Sequence, residues 1–186
     1  MHPPPAPRKI TFLPSYARTA LKILVIGGTG RITSGITVTV RALDANGNIA
    51  TGHGTDVTLV CPKGHGPDTQ IFLQAQALAA DSGATIHISD DVGDIEGFDV
   101  VYTDTWVSMG DNTPMEQVKD IFMPYQINQA LLERTGIQHV LHCQPAHREL
   151  EITSDVMDGP ASLIMDEAEN RMHIQNAVLL TLLGNK

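Results

Sequence analysis

At 186 residues the chain is long enough to close one sizeable hydrophobic core and short for two. Its 42% apolar and 18% charged content fits an ordinary soluble globular domain, and no apolar run approaches the roughly 20 residues of a membrane span. A net charge of −9 argues against a general nucleic-acid binder.

The charge is unevenly placed. Arg8, Lys9, Arg18, Lys22, Arg31 and Arg41 all precede the first acidic residue, Asp44. An acid-free start is one mark of an organellar transit peptide, but Pro3, Pro4, Pro5, Pro7 and Pro14 and the lack of amphipathic periodicity favour a disordered tail over residues 1–21. No secretory apolar segment precedes Lys22, so a reducing compartment is expected: the cytoplasm, with the mitochondrial matrix as the alternative. Cys61 and Cys143 do not make a disulfide framework. They end two strands expected to lie three apart, and at about 4.8 Å per strand that exceeds the reach of a bridge.

Ile23, Leu24, Val25 and Ile26 make 22–26 a buried strand, closed by Gly27, Gly28 and Gly30. Such a turn can approach a phosphate, as in NAD(P)-binding folds, but Thr33 stands where a third glycine would be, and a tight turn is the better reading. Residues 34–43 pose a conflict. A crossover helix is needed there, yet Ile36, Val38 and Val40 alternate with Thr37 and Thr39 in a strand pattern. Residues 44–55, broken by Asn46-Gly47, Gly52 and Gly54, form a loop. From there the alternation is regular. Strands are expected at 57–60, 85–89, 99–103 and 139–143, with a short sixth at 163–165; helices follow Pro67-Asp68 and run over 115–122, 126–134 and 167–183. This is a doubly wound, mostly parallel, Rossmann-like α/β/α sandwich in one domain, residues 22–186. Right-handed crossovers give the strand order 3-2-1-4-5, with the switch point between strands 1 and 4.

Ligands of such sheets bind just past the strands' carboxyl ends. There the sequence puts Asp104, Trp106, Ser108 and Met109-Gly110 after strand 4, Cys143-Gln144 after strand 5, and Arg31 after strand 1. Asp104 and Ser108 can hold a ligand ammonium together, by charge and by hydrogen bond. Taken alone, Asp104 reads as a helix N-cap, Cys143 as a small buried hydrophobe, and Arg171 as the i+4 partner of Glu167. Strand alternation sets His139 and Cys143 on one face and His142 on the other, which suits a zinc site poorly. No metal or cofactor is expected.

Four ordered segments, Asp-Thr-Trp-Val-Ser-Met-Gly at 104–110, Pro-Tyr-Gln-Ile-Asn at 124–128, His-Cys-Gln-Pro-Ala-His-Arg at 142–148 and Asp-Glu-Ala-Glu-Asn-Arg-Met-His at 166–173, together resemble the ornithine-binding half of the ornithine carbamoyltransferase family. The likeness is strong from about Asp90 to Gly184 and much weaker before. It implies carbamoyl transfer from carbamoyl phosphate to ornithine, giving citrulline, as in arginine biosynthesis. It also implies roles: Asp104 and Ser108 on the α-ammonium, Met109 through its backbone, Cys143 and the Gln144 backbone facing the δ-amine and carbamoyl group, and Arg171 on the carbamoyl oxygen.

Two departures stand out. Gln144 replaces the family's usual Leu, and Gly30-Arg31 replaces an Asn-Asn pair, leaving Arg31 as a substitute ligand for the ornithine carboxylate. The resemblance also implies that the carbamoyl-phosphate domain is absent, so that carbamoyl phosphate is a partner only if a second domain or subunit supplies its site. The last helix would then expose an apolar stripe for a second copy or another chain to cover. Beside this reading stand a non-catalytic amino-acid-binding module or degenerate remnant, and an NAD(P)-binding oxidoreductase relative resting on Gly27 to Gly30 alone.

Overall fold

The computed structural model describes residues 22–26, 56–82, 84–95, 97–107 and 112–184. The expected tail at 1–21, the glycine turn after residue 26, the conflict at 34–43 and the loop at 44–55 lie outside them.

Five strands form one sheet: β1 Lys22–Ile26, β2 Asp56–Val60, β3 Ile86–Ser89, β4 Val100–Thr103 and β5 His139–His142. Their order is β3-β2-β1-β4-β5 and every pairing is parallel. The expected topology is therefore the one found. Buried, β-branched runs such as Val100-Val101 suit a sheet covered on both sides. Register brings the strand ends level. Ile26 pairs with Val60 and Thr103, Val60 with Ser89, and Thr103 with His142. Cys61, Asp90, Asp104 and Cys143, the residues after β2, β3, β4 and β5, thus begin a single rim, and Asp104 and Cys143 leave neighbouring strands from paired positions.

The main core lies on one face of the sheet. Val101 and Val140 pack with Leu131 and Leu132 of helix α3 (Gln129–Thr135) and with Ile127, Ile152 and Ile164. Trp106 joins Val118 and Phe122 of α2 (Met115–Phe122) in a second cluster, with the Trp106 and Phe122 rings 5.9 Å apart. Helix α1 (Thr69–Ser82) follows β2, and its first turn is capped by Asp68, whose Oδ1 accepts the Gln70 N–H at 2.8 Å.

Strand ends shift from expectation by a residue, and two larger differences stand out. The helix predicted over 126–134 begins only at Gln129, because Asn128 is extended and its Oδ1 caps the Leu131 N–H at 2.9 Å. Ile127 instead exchanges backbone bonds with the 151–153 segment. The helix ends at Thr135, and Gly136, with a φ of 70°, takes the left-handed turn that favours glycine. The sixth strand at 163–165 does not form. Ser162 makes an isolated bridge with Val140, and helix α5 starts at Ile164. Ile164 is buried as the root of that helix, so three apolar residues were too short a run to separate strand from helix.

Short α4 (Ser154–Met157) precedes α5 (Ile164–Leu183). Of α5 only Ile164 is buried; Met172, Val178, Leu180 and Leu183 are 50–73% exposed. No helix among the described residues is long and apolar enough to cross a membrane.

Candidate functional site

The paired ends of β4 and β5 set two side chains against each other. The Cys143 Sγ–H donates to Asp104 Oδ1 at 2.8 Å, and the same oxygen accepts the Thr105 N–H at 2.7 Å. Asp104 is therefore not the N-cap of the next helix, which starts eleven positions later in the chain at Met115. Burial pushes the Cys143 thiol up, and the hydrogen bond to Asp104 and the charges of Asp104 and Glu167 push it further, to about 12. At neutral pH the side chain is a neutral donor and not a thiolate nucleophile.

Tyr102, Leu141, Cys143, Gln144, Glu167 and Arg171 line one cleft of about 650 Å³ on the sheet face opposite the main core. Glu167, in the first turn of α5, accepts the His142 backbone N–H at 3.0 Å and the Tyr102 hydroxyl. Burial raises its carboxyl above the ordinary range; the bonds from the Tyr102 hydroxyl and the His142 backbone N–H and the charge of Arg171 oppose that rise without cancelling it. Arg171 is exposed and one turn further along the helix, so its charge faces both Glu167 and the cleft. The pairing with Glu167 and a role toward a ligand are thus compatible.

After Cys143 the chain turns sharply. Gln144 has a φ of 59° and the Gln144–Pro145 peptide is cis. The Gln144 N–H donates to His142 Nδ1 at 2.9 Å, while His142 Nε2 lies 3.2 Å from Glu151 Oε1, both side chains being buried. Burial alone would raise the Glu151 carboxyl, but hydrogen bonds from His142 and the His147 backbone N–H outweigh it and hold the group below its usual range.

Of the residues predicted for the site, Asp104 and Cys143 are in contact, and Cys143, Gln144 and Arg171 share the cleft. Arg31, Ser108 and Met109 lie outside the described residues. Among the described residues no group of three or more His, Cys, Asp or Glu side chains is arranged to hold a metal ion. Sequence reasoning missed Tyr102 and Glu151 and saw Glu167 only as a partner for Arg171. The hydroxyl of Tyr102 directly after two valines was a usable signal. Glu151 offered none, because a glutamate in a loop reads as solvated.

The sequence model described as aspartate/ornithine carbamoyltransferase, Asp/Orn binding domain, matches residues 36–182. The chain belongs to the aspartate/ornithine carbamoyltransferase family. The match starts well before Asp90, from which the four segments carry their strong likeness, and it displaces the oxidoreductase alternative. The ornithine carbamoyltransferase of Moritella abyssi is 58% identical over 163 residues, covering 88% of this chain and 51% of that protein. That of Pyrococcus horikoshii is 43% identical over 133 residues, covering 70% and 42%. Among solved structures, the ornithine carbamoyltransferase of Pyrococcus furiosus superposes with a TM-score of 0.69 at 33% identity, covering 90% of this chain and 51% of that one. The chain spans about half the length of the curated relatives it matches.

Proposed function

We propose that residues 22–186 supply the ornithine-binding half of a carbamoyltransferase that makes citrulline and phosphate from ornithine and carbamoyl phosphate, the transfer used in arginine biosynthesis. The observation that carries this reading is the Asp104–Cys143 pair at 2.8 Å, set beside a cleft that Arg171 also lines. Asp104 offers a carboxylate to the ornithine α-ammonium, with Ser108 and the Met109 backbone beside it and Arg31 toward the ornithine carboxylate. The neutral Cys143 sulfur accepts from the δ-amine while its own proton stays on sulfur, donated to Asp104, and the Gln144 backbone borders the same position. The δ-nitrogen lone pair attacks the carbamoyl carbon, the carbon–oxygen bond to phosphate breaks, and the departing phosphate takes one proton from the amine. Arg171 meets the negative charge that gathers on the carbamoyl oxygen.

Two features support a division of labour on this reading. The family likeness covers about half of each relative, and α5 carries an apolar stripe suited to a second surface. Groups that grip one substrate cannot by themselves place the other, so the carbamoyl-phosphate site comes from another domain or subunit, a second copy or a partner chain, seated on α5. Cys61 and Cys143 are free thiols, in keeping with a cytoplasmic location.

The test is to titrate the purified chain with ornithine by calorimetry, and to assay citrulline with and without carbamoyl phosphate, against Asp104→Ala and Cys143→Ala. Binding that Asp104→Ala abolishes, with no citrulline, is the expected result. Citrulline from the chain alone would locate a phosphate site in it or between its copies. No ornithine binding would overturn the reading and favour a remnant.

A further inference from the structure

His142 is held at both ring nitrogens. Nδ1 accepts the Gln144 N–H at 2.9 Å, so the ring proton sits on Nε2, which donates to Glu151 Oε1 at 3.2 Å. That Glu151 oxygen also accepts the His147 backbone N–H, and His147 Nδ1 lies 3.4 Å from it. One fully buried carboxylate thus grips both ends of the 142–147 turn: His142 through its ring, and His147 directly. Its second oxygen, Oε2, is buried with no hydrogen-bond partner among the described residues, so the hydrogen bonds the carboxylate takes from other described residues all come from this turn. Between the two grips stand Cys143 and Gln144, the latter in a left-handed conformation that a residue with a side chain rarely adopts. The His142 backbone N–H is tied separately, to Glu167 of α5.

We propose that His142 and Glu151 are positioning residues for the carbamoyltransferase site: the chain from the Glu151 carboxylate through the His142 ring to the Gln144 N–H holds Gln144 left-handed. It thereby sets where the Cys143 thiol meets Asp104 and where the Gln144 peptide borders the cleft. This rests on Cys143 and Gln144 serving the reaction proposed above. Neither His142 nor Glu151 touches substrate on this account. A histidine that merely filled the core would need the Glu151 bond and have no use for a bare Nδ1.

Asparagine and glutamine separate the two ring nitrogens. The Asn Oδ1 takes the place of Nδ1 and can accept the Gln144 N–H; the Gln Nε2 takes the place of Nε2 and can only donate toward residue 151. Both replacements of His142 are made together with Glu151→Gln, so that no unpaired charge is buried, and Glu151→Gln alone is the reference. The readout is the rate of Cys143 alkylation by iodoacetamide in the full chain at about pH 8, followed on the Cys143 peptide by mass spectrometry. His142→Asn should stay within about threefold of the reference. His142→Gln should react at least about tenfold faster, because a relaxed turn frees the thiol from Asp104. Equal rates, or the reverse order, would overturn the proposal. Should either variant fail to fold, nitrogen NMR of the unaltered chain decides: a His142 ring protonated on Nε2 alone is required, and a proton on Nδ1 refutes it. Neither readout uses ornithine or citrulline, so failure of the proposed reaction leaves this result legible.

Discussion

Asp104→Asn isolates the charge at the centre of the site. The amide oxygen can still accept the Cys143 S–H, so the substitution removes a negative charge 2.8 Å from sulfur and little else. The thiol is raised from 9.0 to about 12 by burial first, then by its bond to Asp104 and the charges of Asp104 and Glu167. At pH 8 only about one thiol in ten thousand is then ionised. Burial, the largest cause, and Glu167 both survive the substitution, so the recovery is partial, on the order of one pKa unit. That raises the thiolate population about tenfold. A less basic thiolate is also a weaker nucleophile, by about threefold per unit. The net expectation is a three- to fourfold faster alkylation of Cys143 by iodoacetamide, roughly. Cys61 is buried at the end of β2, where burial and Asp90 raise its thiol, and it serves as the internal reference. An unchanged or slower rate at Cys143, or an equal change at Cys61, would refute the coupling. The same variant should weaken ornithine binding by tenfold or more, on the order of the 1.4 kcal/mol of one charge-assisted hydrogen bond.

Arg171→Gln should reduce citrulline formation about 100- to 1,000-fold in whichever assembly forms it, with ornithine affinity unchanged by calorimetry, since the residue addresses charge that appears only in the transition state. Asn128→Ala removes the cap on the Leu131 N–H and should cost about 1 kcal/mol in urea unfolding without altering Cys143 alkylation. Folding favours the neutral Cys143 thiol, so that contribution to stability is fully present below about pH 9, the unfolded value, and is lost as pH rises toward 12. Urea midpoints measured from pH 8 to 11 should therefore fall less steeply in Cys143→Ala than in the unaltered chain; parallel curves would count against a buried neutral thiol.

The sequence by itself determined the alternation of strands and helices, the order of the sheet, and the presence of Asp104 and Cys143 on one rim. Each of these follows from local patterns: continuous apolar runs at β4 and β5, glycine at the end of α3, and the handedness of crossovers. Helix α5 was legible for the same reason, as was the exposed apolar stripe expected of it without a partner. The tertiary structure decided how these pieces meet. Asp104 as a helix cap and Asp104 as the acceptor for a cysteine 39 positions away are equally consistent with its neighbours in sequence, and only the β4–β5 register selects the second. Residues 163–165 needed the same information: one bridge to Val140 was all the sheet edge offered, and burial of Ile164 went to a helix. Glu151 is the sharpest case. Its carboxylate lies buried because an imidazole and a backbone N–H converge on it from the β5 turn. No periodicity encodes that meeting, because the cost of burying a charge is settled by partners that only the folded chain assembles.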